Sequence, residues 1–174
     1  MPITEEPDVI PFVTAPGGGA IGMAPCPGTS TRRPDALRHD IQVIQKHRPT
    51  ALVSLVTAAE LSPRTLSAIR EVSEQAGLEW HWLPIPAMRA PQAEFEAQWL
   101  VTGSLLRRRL RAGERIVLHC WGGLGRCGTI AARLLVELGV PAEAAIHDVR
   151  RVNSRAIETR VQEAHIAACS IVPF

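Results

Sequence analysis

A cysteine placed where an apolar strand runs out, followed by a glycine-rich turn and a long apolar helix, constrains this chain more than any other feature. The segment is RIVLHCWGGLGRCGTIAARLLVELG, residues 115–139. Arg115 to His119 is predicted as a buried strand, bounded upstream by Ala112-Gly113, and Gly125 to Leu138 as the helix that follows it. A chain that passes from strand to helix through such a turn belongs in an α/β architecture, whose ligands sit at the carboxyl ends of the strands.

The remaining pattern agrees. Short apolar runs at Val9 to Val13 and Ala20 to Ala24, separated by Pro16-Gly17-Gly18-Gly19, suit strands and turns. Helical spacing of Leu37, Ile41 and Ile44 predicts a helix from Pro34 to His47, and ALVSLVT from Ala51 to Thr57 a buried strand. A helix from Pro63 to Ala76, a strand from Leu78 to Leu83 and a proline-rich loop from Pro84 to Pro91 come next. Helices are then expected at Ala93 to Arg111, Pro141 to Val152 and Thr159 to Cys169. The expected fold class is α/β: one domain spanning 1–174, a mostly parallel central sheet of four to five strands, and helices on both faces. Residues 1–30 supply N-terminal strands and turns, and 116–139 the strand, loop and helix that carry the chemistry.

Five residues separate Cys120 from Arg126. A loop of that length can curl its backbone N–H groups around a tetrahedral oxyanion, and Gly122, Gly123 and Gly125 remove side chains that would obstruct it. The same amides and the positive helix end favour a thiolate at Cys120, lowering its pKa from ~8.5 into a range of roughly 3.5–7.5. Arg126 offers a planar fork of donors to two phosphate oxygens. The expected chemistry is a phosphocysteine intermediate that water then hydrolyses. Three other readings compete. Cys120 can be a small buried hydrophobe beside an ordinary turn. Gly123-x-Gly125-x-x-Gly128 satisfies a dinucleotide fingerprint, yet no second strand ending in an acid follows it. A nucleotide P-loop is excluded because no Lys precedes Thr129.

Composition narrows the partners. With a net charge of +2 and no basic run beyond Arg107 to Arg109 and Arg111, on a helix face read as exposed, no nucleic-acid footprint is expected. No apolar stretch approaches a membrane span, and the acidic start MPITEEPDVI lacks the features of a signal peptide, which predicts a cytoplasmic protein without a membrane partner. Cys26, Cys120, Cys127 and Cys169 are too sparse for a disulfide framework or a zinc site, and the six histidines show no metal spacing. No metal and no cofactor is expected. Trp80, Trp82 and Trp99 are assigned mostly to the core, and Trp121 to the floor or rim of the pocket. His119 is assigned a structural role, orienting loop carbonyls from within.

His119-Cys120-x5-Arg126 matches the signature of the protein tyrosine phosphatase superfamily, and HCWGGLGR is especially similar to the loop of kinase-associated phosphatase and its bacterial relatives, a dual-specificity group. IGMAPCPGT resembles that family's early Leu-Gly-x-x-x-x-Pro-Gly segment, LPIPAMRAP its acid loop and AIETRVQE its late Gln-containing segment, so that roughly Ile21 to Ala168 is covered. The resemblance implies a flattened parallel sheet, a metal-free mechanism, and a phosphorylated protein (Ser, Thr or Tyr side chains) as substrate; the easier departure of phenols adds a small aryl phosphate where acid catalysis is weak. It makes Cys120 the nucleophile and Arg126 the phosphate clamp. The backbone of Trp121, Gly122, Gly123, Leu124, Gly125 and Arg126 becomes the cradle, and Gln162 a candidate for positioning water, set against a solvated helix position.

The chain departs from the family at two places. Relatives carry an Asp general acid where Ala87 stands here, and no Asp lies between Asp40 and Asp148. Gln92 occupies a second place where relatives show an acid, leaving Glu94 and Glu96 as the nearest carboxylates, read as the exposed face of the next helix. Cys127 replaces the Ser or Thr that follows the arginine, and a thiol is a weak donor; a reversible disulfide with Cys120 and an inert helix-start cysteine are its other readings. A phosphatase of reduced activity is therefore expected, with a phosphoprotein-binding pseudophosphatase as the alternative and rhodanese-like sulfur transfer a distant third.

Overall fold

The computed structural model describes residues 9–174, so the reading of the first eight residues lies outside the described part. Eleven elements follow in the order β1 (Phe12–Thr14), β2 (Ala20–Ala24), α1 (Ala36–Lys46), β3 (Ala51–Ser54), α2 (Pro63–Gln75), β4 (Glu79–Trp82), α3 (Ala93–Arg111), β5 (Arg115–His119), α4 (Gly125–Glu137), α5 (Ala142–Val152) and α6 (Arg160–Ala167). The five strands form one sheet in the order β1-β2-β5-β3-β4. β1 runs antiparallel to β2, and the other neighbours are parallel. The expected α/β class and mostly parallel sheet are both present.

Side-chain alternation divides the core between the two faces. Ile116 and Leu118 of β5 join Met23, Val53 and Leu55 beneath α3, α4, α5 and α6. Val117 and Leu52 point the other way, onto Ile41 and Ile44 of α1 and Ile69 of α2. α2 begins with a Ser62 cap, whose Oγ accepts from the Thr65 amide at 3.2 Å, followed by Pro63 in the first turn.

α4 differs from the other helices in that every residue from Gly125 to Glu137 is buried. It therefore carries polar groups through the interior, and these need partners there.

Several boundaries move by one to three residues, those of β1, α1, β4 and α6 among them, and two further differences bear on the site and its surroundings. β3 ends at Ser54 rather than Thr57: the Leu55 amide still bonds the end of β5, at the His119 carbonyl 2.9 Å away, but the Thr57 amide turns off to the Glu60 carboxylate at 2.8 Å. The basic run on α3 is not wholly exposed: Arg107 is buried and paired with Glu137.

Strand register places the site. Ala24 and Ser54 both pair with His119, and Ser54 pairs with Trp82, so four parallel strands end at one level. The loops after β2, β3, β4 and β5 consequently meet at one edge of the sheet.

Candidate active site

Cys120 closes β5, and its side chain is buried at the base of the loop, with 3% of its surface exposed. The loop bends over it through Gly123, whose φ of +73° suits glycine; a methyl group there would lie 2.7 Å from the Ala24 backbone. That turn aims the Gly123 N–H at the Cys120 Sγ, 3.2 Å away. Among the described residues the amides of Trp121, Gly122 and Leu124 have no acceptor, and Gly125 and Arg126 stand in the first turn of α4, where no intrahelical acceptor exists. The Gly123 amide is thus aimed at the sulfur, and the neighbouring loop amides remain without protein acceptors, as an oxyanion cradle requires.

These surroundings bring the Cys120 pKa down from 9.0 to about 6. The largest cause is the neighbouring Cys127 thiol, helped by the backbone amides of Cys127 and Gly123 and by the Arg126 charge, while burial opposes them. Cys127 thus stands where a hydroxyl donor was expected, although its single proton is shared between the Cys120 sulfur and the Ala24 carbonyl, 3.9 Å away. Burial keeps Cys127 itself protonated, its pKa well above the usual thiol value. Cys26, whose amide donates to the Trp121 carbonyl at 3.0 Å, is pushed up to about 12, chiefly by burial. Of the three cysteines at this edge, one is a thiolate near neutral pH.

Arg126 is buried and held from behind. Its Nη1 and Nη2 donate to the two oxygens of Glu60, each at 2.7 Å, and Nη1 also donates to the Ile85 carbonyl at 2.9 Å. Glu60 is fixed in turn by the Thr57 amide and hydroxyl, at 2.8 and 3.1 Å. A guanidinium has five N–H donors. This bracing leaves Nε–H and one Nη2–H, which share an edge and have the fork geometry that can meet two oxygens of one anion. Pairing raises the Arg126 pKa and lowers that of Glu60 against the opposing effect of burial. No spacing rule connects residue 60 to residue 126; the one legible signal was a carboxylate in a loop leaving the same sheet edge.

His119 lies wholly inside and is kept neutral, with a pKa of about 4, by burial. Ser54 Oγ accepts from Trp80 Nε1 at 2.8 Å, which leaves its own proton for His119 Nε2 at 2.5 Å and assigns the ring proton to Nδ1, facing the Cys120 carbonyl at 3.3 Å. The histidine therefore anchors the root of the loop without reaching its mouth. Trp121 is half-exposed at the rim.

The acid loop crosses the same edge. Ile85 lends its carbonyl to Arg126, and Ala87, two residues on, is exposed. Glu96 is not the solvated residue expected, because both its oxygens are taken by Arg133 at 2.6 and 2.9 Å. Glu94 is exposed on the first turn of α3. Gln162 is not solvated either: it is fully buried in the capping box of α6. Its Oε1 accepts from the amides of Glu158 and Thr159, and its Nε2 donates to the Arg89 carbonyl at 3.2 Å, so most of its capacity joins the acid loop to the 153–159 connection. Asn153 secures that connection to the loop, donating from Nδ2 to the Gly123 carbonyl at 3.2 Å.

Residues 27–140 match the family model described as Tc-R-P, the DSP-PTPase phosphatase of polymorphic toxin systems. The chain belongs to this family. The rat protein named cyclin-dependent kinase inhibitor 3 is 32% identical over 106 residues, a match covering 59% of this chain and 49% of the rat protein, so the chain spans about half the length of that curated relative. Kinase associated phosphatase, solved with its catalytic-site cysteine replaced by serine, superposes with a TM-score of 0.74 at 23% identity, over 93% of each chain. Tk-PTP in its active form gives 0.65 at 28% identity, over 92% of this chain and 95% of that one. The DSP-PTPase fold is thus shared across nearly the full length, and the Cys120 loop lies within the matched family region.

Proposed function

We propose that this DSP-PTPase family member is a phosphomonoesterase that removes phosphate from phosphorylated protein side chains through a phosphocysteine intermediate. The observation that carries the reading is the pairing of a buried sulfur, ionised near neutral pH, with the uncommitted Nε/Nη2 edge of Arg126. The Cys120 thiolate attacks phosphorus, the loop amides and Arg126 hold the three equatorial oxygens, and the ester oxygen leaves in line.

With Ala87 at the place of the family's acid, the leaving group departs without a proton from that loop. General acid catalysis is worth ~10²–10⁴-fold, and it matters least for phenols, which leave at a pKa of ~10. The favoured substrate class is therefore phosphotyrosine or a small aryl phosphate rather than phosphoserine or phosphothreonine. The exposed Ala87 also favours a second reading, a phosphoprotein-binding pseudophosphatase that keeps the cradle and turns over negligibly. A chromogenic aryl phosphate assay of the wild type beside Cys120→Ser separates the two. Turnover that vanishes in the variant supports the enzyme; equal background rates support the binding protein.

A further inference from the structure

The resemblance that singled out Gln162 passed over its neighbour four positions earlier. Both side chains lie against Gly125, but Gln162 is buried with its amide committed, its Nε2 standing 3.2 Å from where a methyl group on Gly125 would be, whereas Glu158 is exposed. A methyl group on Gly125 would stand 2.6 Å from Glu158 Oε1 and 3.1 Å from its carboxyl carbon, so the acid packs directly against the point where the cradle becomes α4. The backbone beneath it is fixed. The Ile157 amide donates to the Leu124 carbonyl at 3.4 Å, the Glu158 amide to Gln162 Oε1 at 2.9 Å, and Arg150 Nη2 to the Ile157 carbonyl at 2.8 Å.

Among the described residues the carboxylate has no ion-pair or hydrogen-bond partner; it shares this with the exposed Glu94, which has no contact with the loop, but not with Glu60 or Glu96. Glu60 spends both oxygens on Arg126, and Glu96 spends both on Arg133. Glu158 is thus the carboxylate that lies against the loop with neither oxygen committed.

We propose that Glu158 is the general base for the second half of the reaction, an inference that rests on the phosphatase reading above. In the first step the S–P bond forms, the P–O ester bond breaks, and an aryloxide leaves to take its proton from solvent. In the second, a water oxygen attacks phosphorus as the S–P bond breaks. Glu158 accepts the water proton, Cys120 is restored as a thiolate, and phosphate is released; the carboxyl group then returns its proton to solvent. A phenol can leave without an acid, but water must lose a proton whatever the ester was. One carboxylate is therefore of most use at this step.

Rapid-mixing kinetics with a chromogenic aryl phosphate test the assignment. Glu158→Gln keeps the size and polarity of the side chain but cannot accept the proton. Its trace is expected to show a burst of close to one phenol per active site, then a steady rate roughly 10²-fold below wild type. Acid-quenched Glu158→Gln should carry phosphate on the Cys120 peptide, and the steady rate of Glu158→Ala should rise with added formate, which a merely structural role would not produce. A steady rate for Glu158→Gln within about threefold of wild type and without a burst would overturn the assignment while leaving the phosphatase reading intact. A loss in Glu158→Ala that formate does not restore, again without a burst, would do the same. A wild type no faster than Cys120→Ser would remove the phosphatase reading, and the role of Glu158 with it.

Discussion

The two ends of α4 each bury an arginine against a carboxylate, and they do so to different effect. Near the C-terminal end, Arg133 donates from Nε to Glu137 at 2.8 Å and with Nη1 and Nη2 to Glu96, while His165 faces Nη1 at 3.2 Å. Glu137 also accepts from Trp99 Nε1 and from Arg107, and the Arg133 guanidinium lies 5.1 Å from the Trp99 ring centre. At the N-terminal end, Arg126 is braced by Glu60 and Ile85 alone, its Nε–H and one Nη2–H are uncommitted, and its charge is felt at Cys120. A buried arginine is therefore not in itself a sign of a site. The telling quantity is how many of its donors the fold leaves uncommitted, and in which direction they point.

Removing either arginine should expose the difference, the largest effect coming from the N-terminal end. Arg126→Met is expected to lower turnover of an aryl phosphate by on the order of 10³–10⁵-fold, the range seen when an arginine that stabilises phosphoryl transfer is lost. Steady-state kinetics on the folded variant check this, and a loss under tenfold would mean that the free edge of Arg126 does not grip phosphate. At the other end, Glu137→Leu leaves Arg107 and Arg133 buried without their shared acceptor. It should cost about 3–5 kcal/mol of stability in denaturant titrations while the activity of the folded fraction stays close to wild type. If activity falls more than stability, the two ends are not independent.

Smaller changes sharpen the contrast. Glu60→Gln keeps one acceptor of the brace but sets an amide NH2 against the other Arg126 N–H and removes the charge, and at about 1.5–3 kcal/mol for a hydrogen bond to a charged group the rate should drop roughly 10- to 100-fold. Ala87→Asp should raise turnover of alkyl phosphates by more than that of aryl ones, by about tenfold or more on the alkyl side. Equal effects on both would place the acid position elsewhere in the loop.

Titration gives a further check on the N-terminal end. Folding depresses the Cys120 pKa from 9.0 to about 6, so iodoacetamide should alkylate this thiol with a midpoint near pH 6. The accompanying contribution to stability is complete above pH 9 and lost as pH falls through about 6. A midpoint above pH 8 would mean that burial outweighs the neighbouring donors.

The strand, turn and helix around Cys120 were legible in the sequence because local rules write them: RIVLH spans β5 without a shift in either boundary, and α3 keeps both its ends. Cys120, the glycine turn and the place of Arg126 in the first turn of α4 follow from that one segment. What the sequence concealed depends on contacts between distant parts of the chain. Glu60 meets Arg126 because four strands end at the same level, and Arg107 is buried because Glu137 approaches from another helix. The positions of Gln162 and Glu158 were set by a capping box, which is itself local: Thr159 and Gln162 stand three apart, as such a box requires, and that spacing marks a capping role for the glutamine.

Trapping the intermediate tests the central claim most directly. Mixing the protein with an aryl phosphate, quenching in acid and mapping peptides by mass spectrometry should place phosphate on the Cys120 peptide, with none in Cys120→Ser. Sustained turnover by the wild type with that peptide unmodified, or with turnover surviving in Cys120→Ser, would contradict it.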